Sequence, residues 1–239
     1  MDTIGNPALR QRLPQSAGDI VRRTAAVLGD GPRILPLELN ELSAELLTIL
    51  DRMAQVNAAL DSRDKEALTQ LIDSDGADDV AAEVRALPEI VRTMLRHGAL
   101  FATQADIGIQ LLGRGTLNPR DREIAVLRIG WLCQAPYEWG EHVIVAKKVG
   151  LTSEDIERIT IGSGADGWTP LERAILRATE ELYEQAMISD ETWAVLATSL
   201  TEVQLIELPI LVGQYQAVAY YQNSLRLRLH DGNAGLSAR

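Results

Sequence analysis

The chain has 239 residues and a formal net charge of −11, from 23 Lys and Arg against 34 Asp and Glu. That length can bury a sizeable core in one large domain or two small ones, and 46% apolar with 24% charged residues excludes wholesale disorder. The acid excess argues against a nucleic-acid partner, and a single cysteine excludes an intrachain disulfide or a thiolate zinc site. No apolar run approaches the ~18 residues of a membrane span, and the N-terminus lacks a signal-peptide pattern. A cytoplasmic, membrane-free globular protein is expected.

Residues 1–32, with Pro7, Pro14 and Pro32, read as an N-terminal arm with a short helix over 20–28. A single all-helical domain is expected over 33–239. Leu42, Leu46, Ile49, Leu50, Met53 and Leu60 recur at three- and four-residue steps, the stripe of an amphipathic helix. Residues 73–79 break it with a solvated acidic loop that lacks the calcium-loop pattern. Pro88 opens a helix running to Leu95, and Leu100 to Leu112 is another.

Punctuation sharpens after that. Asn118-Pro119 is an N-cap followed by proline at the first helical position, and Ala135-Pro136 restarts a helix that Gly150 ends. Thr152 with Asp155, Thr169 with Glu172 and Thr201 with Gln204 are capping boxes. The last helix should run from Glu202 to about Leu229 and bend at Pro209. Gly162-Ser163-Gly164-Ala165-Asp166-Gly167 has dinucleotide-loop spacing, yet it follows a helix rather than a strand and reads as a plain loop. The prediction is an all-α fold.

Chemistry concentrates between Asn118 and Gly150. The helix holding Glu123 to Cys133 is apolar on nearly every face, so it is central and buried. A carboxylate at Glu123 then needs a partner, Arg122 or Arg128. On the next helix Glu138 and His142 are four apart and share the face of Val145, Ala146 and Val149. Trp131, Tyr137 and Trp139 crowd the same window, and apolar walls around convergent titratable groups suit a small-molecule site. Glu123, Glu138 and His142 form a proton-transfer set, or equally a satisfied structural pair between packed helices. No H-x-x-x-H or E-x-x-H pair shares one helix, so no metal is expected.

Arg122-Glu123 followed by Tyr137-Glu138-Trp139-x-x-His142 resembles the carboxymuconolactone decarboxylase family, within the alkyl hydroperoxidase D-like superfamily. Arg96-His97 with Leu100-Phe101, Leu151 to Ile156, Trp168 to Ala178 and Gly213-x-Tyr215 extend the likeness over roughly residues 33–229, with a motif core over 87–160. The resemblance implies an alkyl hydroperoxidase D-like helical bundle with an N-terminal helical extension, assembled as a trimer or hexamer. The peroxidase branch places C-x-x-C before its histidine; here those positions hold Ala135 and Glu138, and Cys133 stands alone. A dithiol mechanism lacks its resolving partner.

The decarboxylase branch fits better and implies a lyase that removes CO2 from a small, enolisable, carboxylated lactone-like substrate without a cofactor. His142 would be the acid or base, Glu123 or Glu138 its orienting group, and Tyr137 the donor to the enolate oxygen. Arg122 and Arg128 are the candidate cations for the carboxylate, with Trp131 and Trp139 as walls. His97 is a cap or interface residue before it is a ligand, and is kept as a substrate-binding candidate. The same acid–base set also suits a hydratase or isomerase, or a non-catalytic binding protein.

Overall fold

A computed structural model describes residues 13–14, 16–38, 41, 43, 46 and 87–239. Every regular element among them is helical. The predicted stripe residues Leu42, Ile49, Leu50, Met53 and Leu60, the loop 73–79 and residues 1–12 lie outside the described set. The chain divides into two units, one of residues 1–32 with 116–239 and one of residues 33–115. Among the described residues no helix is long and apolar enough to cross a membrane.

The first unit opens with α1 (Ala17–Leu28), capped by Ser16, whose hydroxyl accepts from the Asp19 N–H. The second unit contains α2 (Glu89–Met94), a 3-10 turn (Leu95–His97) and α3 (Gly98–Gly113). Its core joins Leu37, Leu95 and Phe101. Arg96 holds the preceding segment in place, donating to both oxygens of Glu41 at 3.0 Å and to the Leu35 carbonyl at 2.7 Å.

The first unit continues with α4 (Pro119–Leu132), α5 (Pro136–Lys148), α6 (Ser153–Ile161), α7 (Pro170–Gln185), α8 (Asp190–Leu196) and α9 (Glu202–Leu225). The centre is α4, against which α5, α6, α7 and α9 all pack. Every residue from Glu123 to Leu132 is buried, as its all-round apolar sequence predicts. Each fully buried Ile or Leu there stabilises the fold by about 1.5–3 kcal/mol.

All three predicted capping boxes form with reciprocal bonds, at the starts of α6, α7 and α9. Two also serve the tertiary structure: Arg120 reaches from α4 to Glu172 at 2.9 Å and to Asp155 at 3.2 Å. Residues 162–169 form the predicted loop between α6 and α7. The last helix is shorter than expected and ends at Leu225. Arg226 there takes a left-handed conformation (φ 58°) and its N–H returns to the Asn223 carbonyl.

The turn from α4 to α5 sets the geometry that follows. The Ala135 N–H bonds the Gly130 carbonyl at 3.0 Å and the Gln134 N–H bonds the Trp131 carbonyl at 2.9 Å. This is a Schellman stop with Gln134 left-handed (φ 48°), a position that usually takes glycine. Pro136 follows at once and starts α5.

Candidate active site

The tight turn folds α5 back on α4, so residues nineteen apart in sequence meet. His142 Nδ1 lies 2.7 Å from Glu123 Oε2, and His142 Nε2 lies 3.2 Å from Glu138 Oε1. The chain of contacts continues at both ends. Arg122 Nε donates to Glu123 Oε1 at 3.0 Å, and Gln222 Nε2 donates to Glu138 Oε2 at 2.6 Å. Tyr215 closes one side, its ring edge-on to the imidazole with centroids 4.8 Å apart. Thus α4, α5 and α9 each contribute to one buried polar chain, in which Glu123, Glu138, His142 and Gln222 are all less than a tenth exposed.

The acidic partners on both sides of the ring favour the charged imidazolium of His142. Burial alone would lower the imidazole pKa. The charge and hydrogen bond of Glu123, then those of Glu138, overcome that and raise it to about 10. Burial opposes ionisation of Glu123, but His142 and Arg122 together hold its carboxyl below the usual range. Tyr215 is pushed well above the ordinary phenol by burial and by the charges of Glu138 and Glu123. Its hydroxyl therefore stays protonated. Cys133 is also pushed up, chiefly by burial, to about 12, so its thiol is not a ready nucleophile.

Several predicted site residues stand elsewhere. Arg128 points from the far side of α4 and is not in the cluster. Its guanidinium meets the Ile159 and Thr160 carbonyls, both at 2.9 Å, and Glu180 at 2.8 Å. A cation held that way caps α6 rather than greeting a substrate carboxylate. Arg122, by contrast, does meet Glu123, one of the two partners expected for it.

Tyr137 turns toward the C-terminal tail, with its ring at an edge angle to His230 and its carbonyl accepting from Asn233 at 3.0 Å. Trp131 and Trp139 pack on each other, with centroids 4.8 Å apart, and carry Arg239 above both rings. The Trp139 indole donates to the Ala238 carbonyl at 3.0 Å. These three aromatics anchor the tail. Gly140 lets the tail approach, because a Cβ there would lie 1.7 Å from Asn233 Oδ1.

His97 belongs to the second unit, where it lines a cleft of 560 Å³ with Leu37, Glu41, Leu95 and Arg96. His230 pairs with Glu141 and is about half exposed. Two members of the site were not assigned to it from sequence. Tyr215 enters the sequence reading only through the Gly213-x-Tyr215 likeness, and Gln222 carries no motif. The signal for both is periodicity: they stand seven apart, hence on one face of a predicted helix.

Fold and site together define a protein that is all-helical among its described residues and built around a buried Glu–His–Glu chain. The sequence model of the carboxymuconolactone decarboxylase family matches residues 81–181 of the chain. No curated protein matches the chain. Among solved structures, the fold is similar to that of a protein of unknown function from Agrobacterium tumefaciens, described as a candidate antioxidant defence protein AhpD. Identity is 16%, with a TM-score of 0.50 over 55% of this chain and 90% of that one.

Proposed function

We propose that the protein is a cofactor-independent carbon–carbon lyase that decarboxylates a small, enolisable, carboxylated molecule. The observation that carries this reading is the His142 imidazole, locked at Nδ1 by Glu123 at 2.7 Å and touched at Nε2 by Glu138 at the longer 3.2 Å. Glu123, itself braced by Arg122, fixes the ring's tautomer and orientation. The looser Nε2 contact is the one a substrate oxygen or carbon displaces, and the proton there is the one transferred. Lone Cys133, with its raised thiol, gives no support to dithiol peroxidase chemistry in this chain.

A second reading has its own observation: both imidazole nitrogens already have partners, as in a purely structural buried ion pair. One experiment separates the two. Wild type and His142→Ala are incubated with a panel of carboxylated lactones and β-keto acids, with no cofactor or metal added, and products are followed by mass. Loss of CO2 with wild type and none with the variant supports the lyase. An inert wild type, with a variant destabilised by ~1–3 kcal/mol from its unpaired partners, leaves the structural role.

A further inference from the structure

Two polar groups in the site are left over once the chain's own hydrogen bonds are made. Gln222 is 3% exposed and spends its Nε2 on Glu138, while its Oε1 is buried and accepts from nothing among the described residues. Tyr215 is 5% exposed, and its hydroxyl makes no hydrogen bond among the described residues, though unlike Gln222 Oε1 it is not one of the fully buried unpaired atoms. Buried polar atoms are nearly always paired, because water is lost and nothing is gained in return. Here an unengaged donor and an unengaged acceptor sit on one face of α9, two turns or about 10 Å apart along the axis. They flank the Glu138–His142 contact, Tyr215 on the imidazole and Gln222 on the carboxylate.

We infer that α9 supplies the substrate contacts: the Tyr215 hydroxyl donates to the oxygen that gathers charge as CO2 leaves, and Gln222 Oε1 accepts from a hydroxyl on the same molecule. The inference rests on the lyase reading and narrows its substrate to a hydroxylated, enolisable acid. The bond from carbon to the carboxylate breaks, CO2 departs, and the electron pair passes into the adjacent carbonyl as an enolate. Tyr215 stabilises that oxyanion by hydrogen bonding without giving up its proton. His142 Nε2 delivers its proton to carbon and is reprotonated from solvent. Tyr137, the tyrosine that sequence favours for the oxyanion, faces the tail instead.

The test uses matched pairs of β-keto acids and lactone acids that differ only by a hydroxyl, with CO2 release measured for wild type, Tyr215→Phe, Gln222→Met and His142→Ala. Tyr215→Phe should keep the wild-type unfolding midpoint and KM within about threefold while kcat falls about 10²-fold. Gln222→Met should cut the wild-type preference for the hydroxylated member about tenfold; that ratio is insensitive to any general loss from a loosened Glu138. Should Tyr215→Phe not fold, 3-fluorotyrosine at 215 keeps the ring, acidifies the hydroxyl and should move kcat alone. An active wild type whose kcat is indifferent to position 215, or whose hydroxyl preference survives Gln222→Met, overturns the inference and leaves the lyase. A wild type inert on every pair overturns both.

Discussion

Two buried charged clusters lie on opposite sides of α4, and they are built differently. On one side Arg128 joins Glu180, and nearly every other contact is to backbone or a short hydroxyl. The Ile159 and Thr160 carbonyls receive Arg128, while the Ser163 N–H and hydroxyl reach Glu180 at 2.9 and 2.6 Å. On the other side the bonds joining Glu123, His142, Glu138 and Gln222 run from side chain to side chain; one buried atom is left over in each cluster, Gln222 Oε1 here and Arg128 Nε there. Backbone partners cannot leave without unfolding a turn, whereas side-chain partners can be exchanged for a ligand. The first arrangement is a rivet and the second is a site.

The largest effect should come from removing the rivet. Arg128→Met leaves the Glu180 carboxylate buried without its cation and frees the last carbonyls of α6. Breaking a buried pair on one side costs about 3–5 kcal/mol. Urea unfolding of the variant should show a midpoint lowered to match, with the His142 imidazole signals unchanged in folded protein. A loss below ~1 kcal/mol would erase the distinction between the clusters, since Arg128 would then be as dispensable as a surface ion pair.

A smaller, graded effect distinguishes the site by its pH dependence. His142 is raised from 6.5 to about 10, so the stability it contributes is fully present below about 6.5 and is lost as pH rises through 10. Glu123 is lowered, so its contribution is present above the ordinary carboxyl range and is lost as pH falls through its depressed value. The same sign holds for Asp155 and Glu172, held down by capping bonds and Arg120 against the opposing effect of burial. Denaturant midpoints should therefore fall steadily from pH 7 to 10 in wild type. In His142→Gln that alkaline decline should flatten while the acid limb stays. An unchanged alkaline limb would mean that the imidazole is neutral at pH 7.

The contrast between the clusters also explains what the sequence made legible. Helix starts are local: Asn118, Thr152, Thr169 and Thr201 bond their own backbone within three residues, and each cap formed where its pattern lies. The Glu138–His142 pair was equally legible, being one helical turn. Arg128 was misassigned because its partner Glu180 is 52 residues away, and α4 is so uniformly apolar that periodicity gives its faces no direction. Tyr137 and the two tryptophans sit beside the motif in sequence, yet a helix turns them toward Asn233, Ala238 and Arg239, which only the folded tail brings there. Gln222 is 84 residues from Glu138, and an amide on a long helix carries no signature of its own.

The smallest expected effect sits in the turn that assembles the site. Gln134 holds a left-handed conformation at φ 48°, which costs a residue with a Cβ more than it costs glycine. Gln134→Gly removes that strain but adds backbone freedom to the unfolded chain, so the net gain should be at most about 1 kcal/mol. The Gln134 N–H bond to the Trp131 carbonyl at 2.9 Å and its carbonyl's acceptance from Arg23 at 3.4 Å need no side chain and should persist. A thermal midpoint raised by a degree or more, with the His142 imidazole resonances unmoved, would show that α4 and α5 are held in register by their packed faces. If the imidazole resonances broaden in the variant, the strained turn is itself what holds Glu123 against His142, and a site made only of side chains depends on one backbone residue for its geometry.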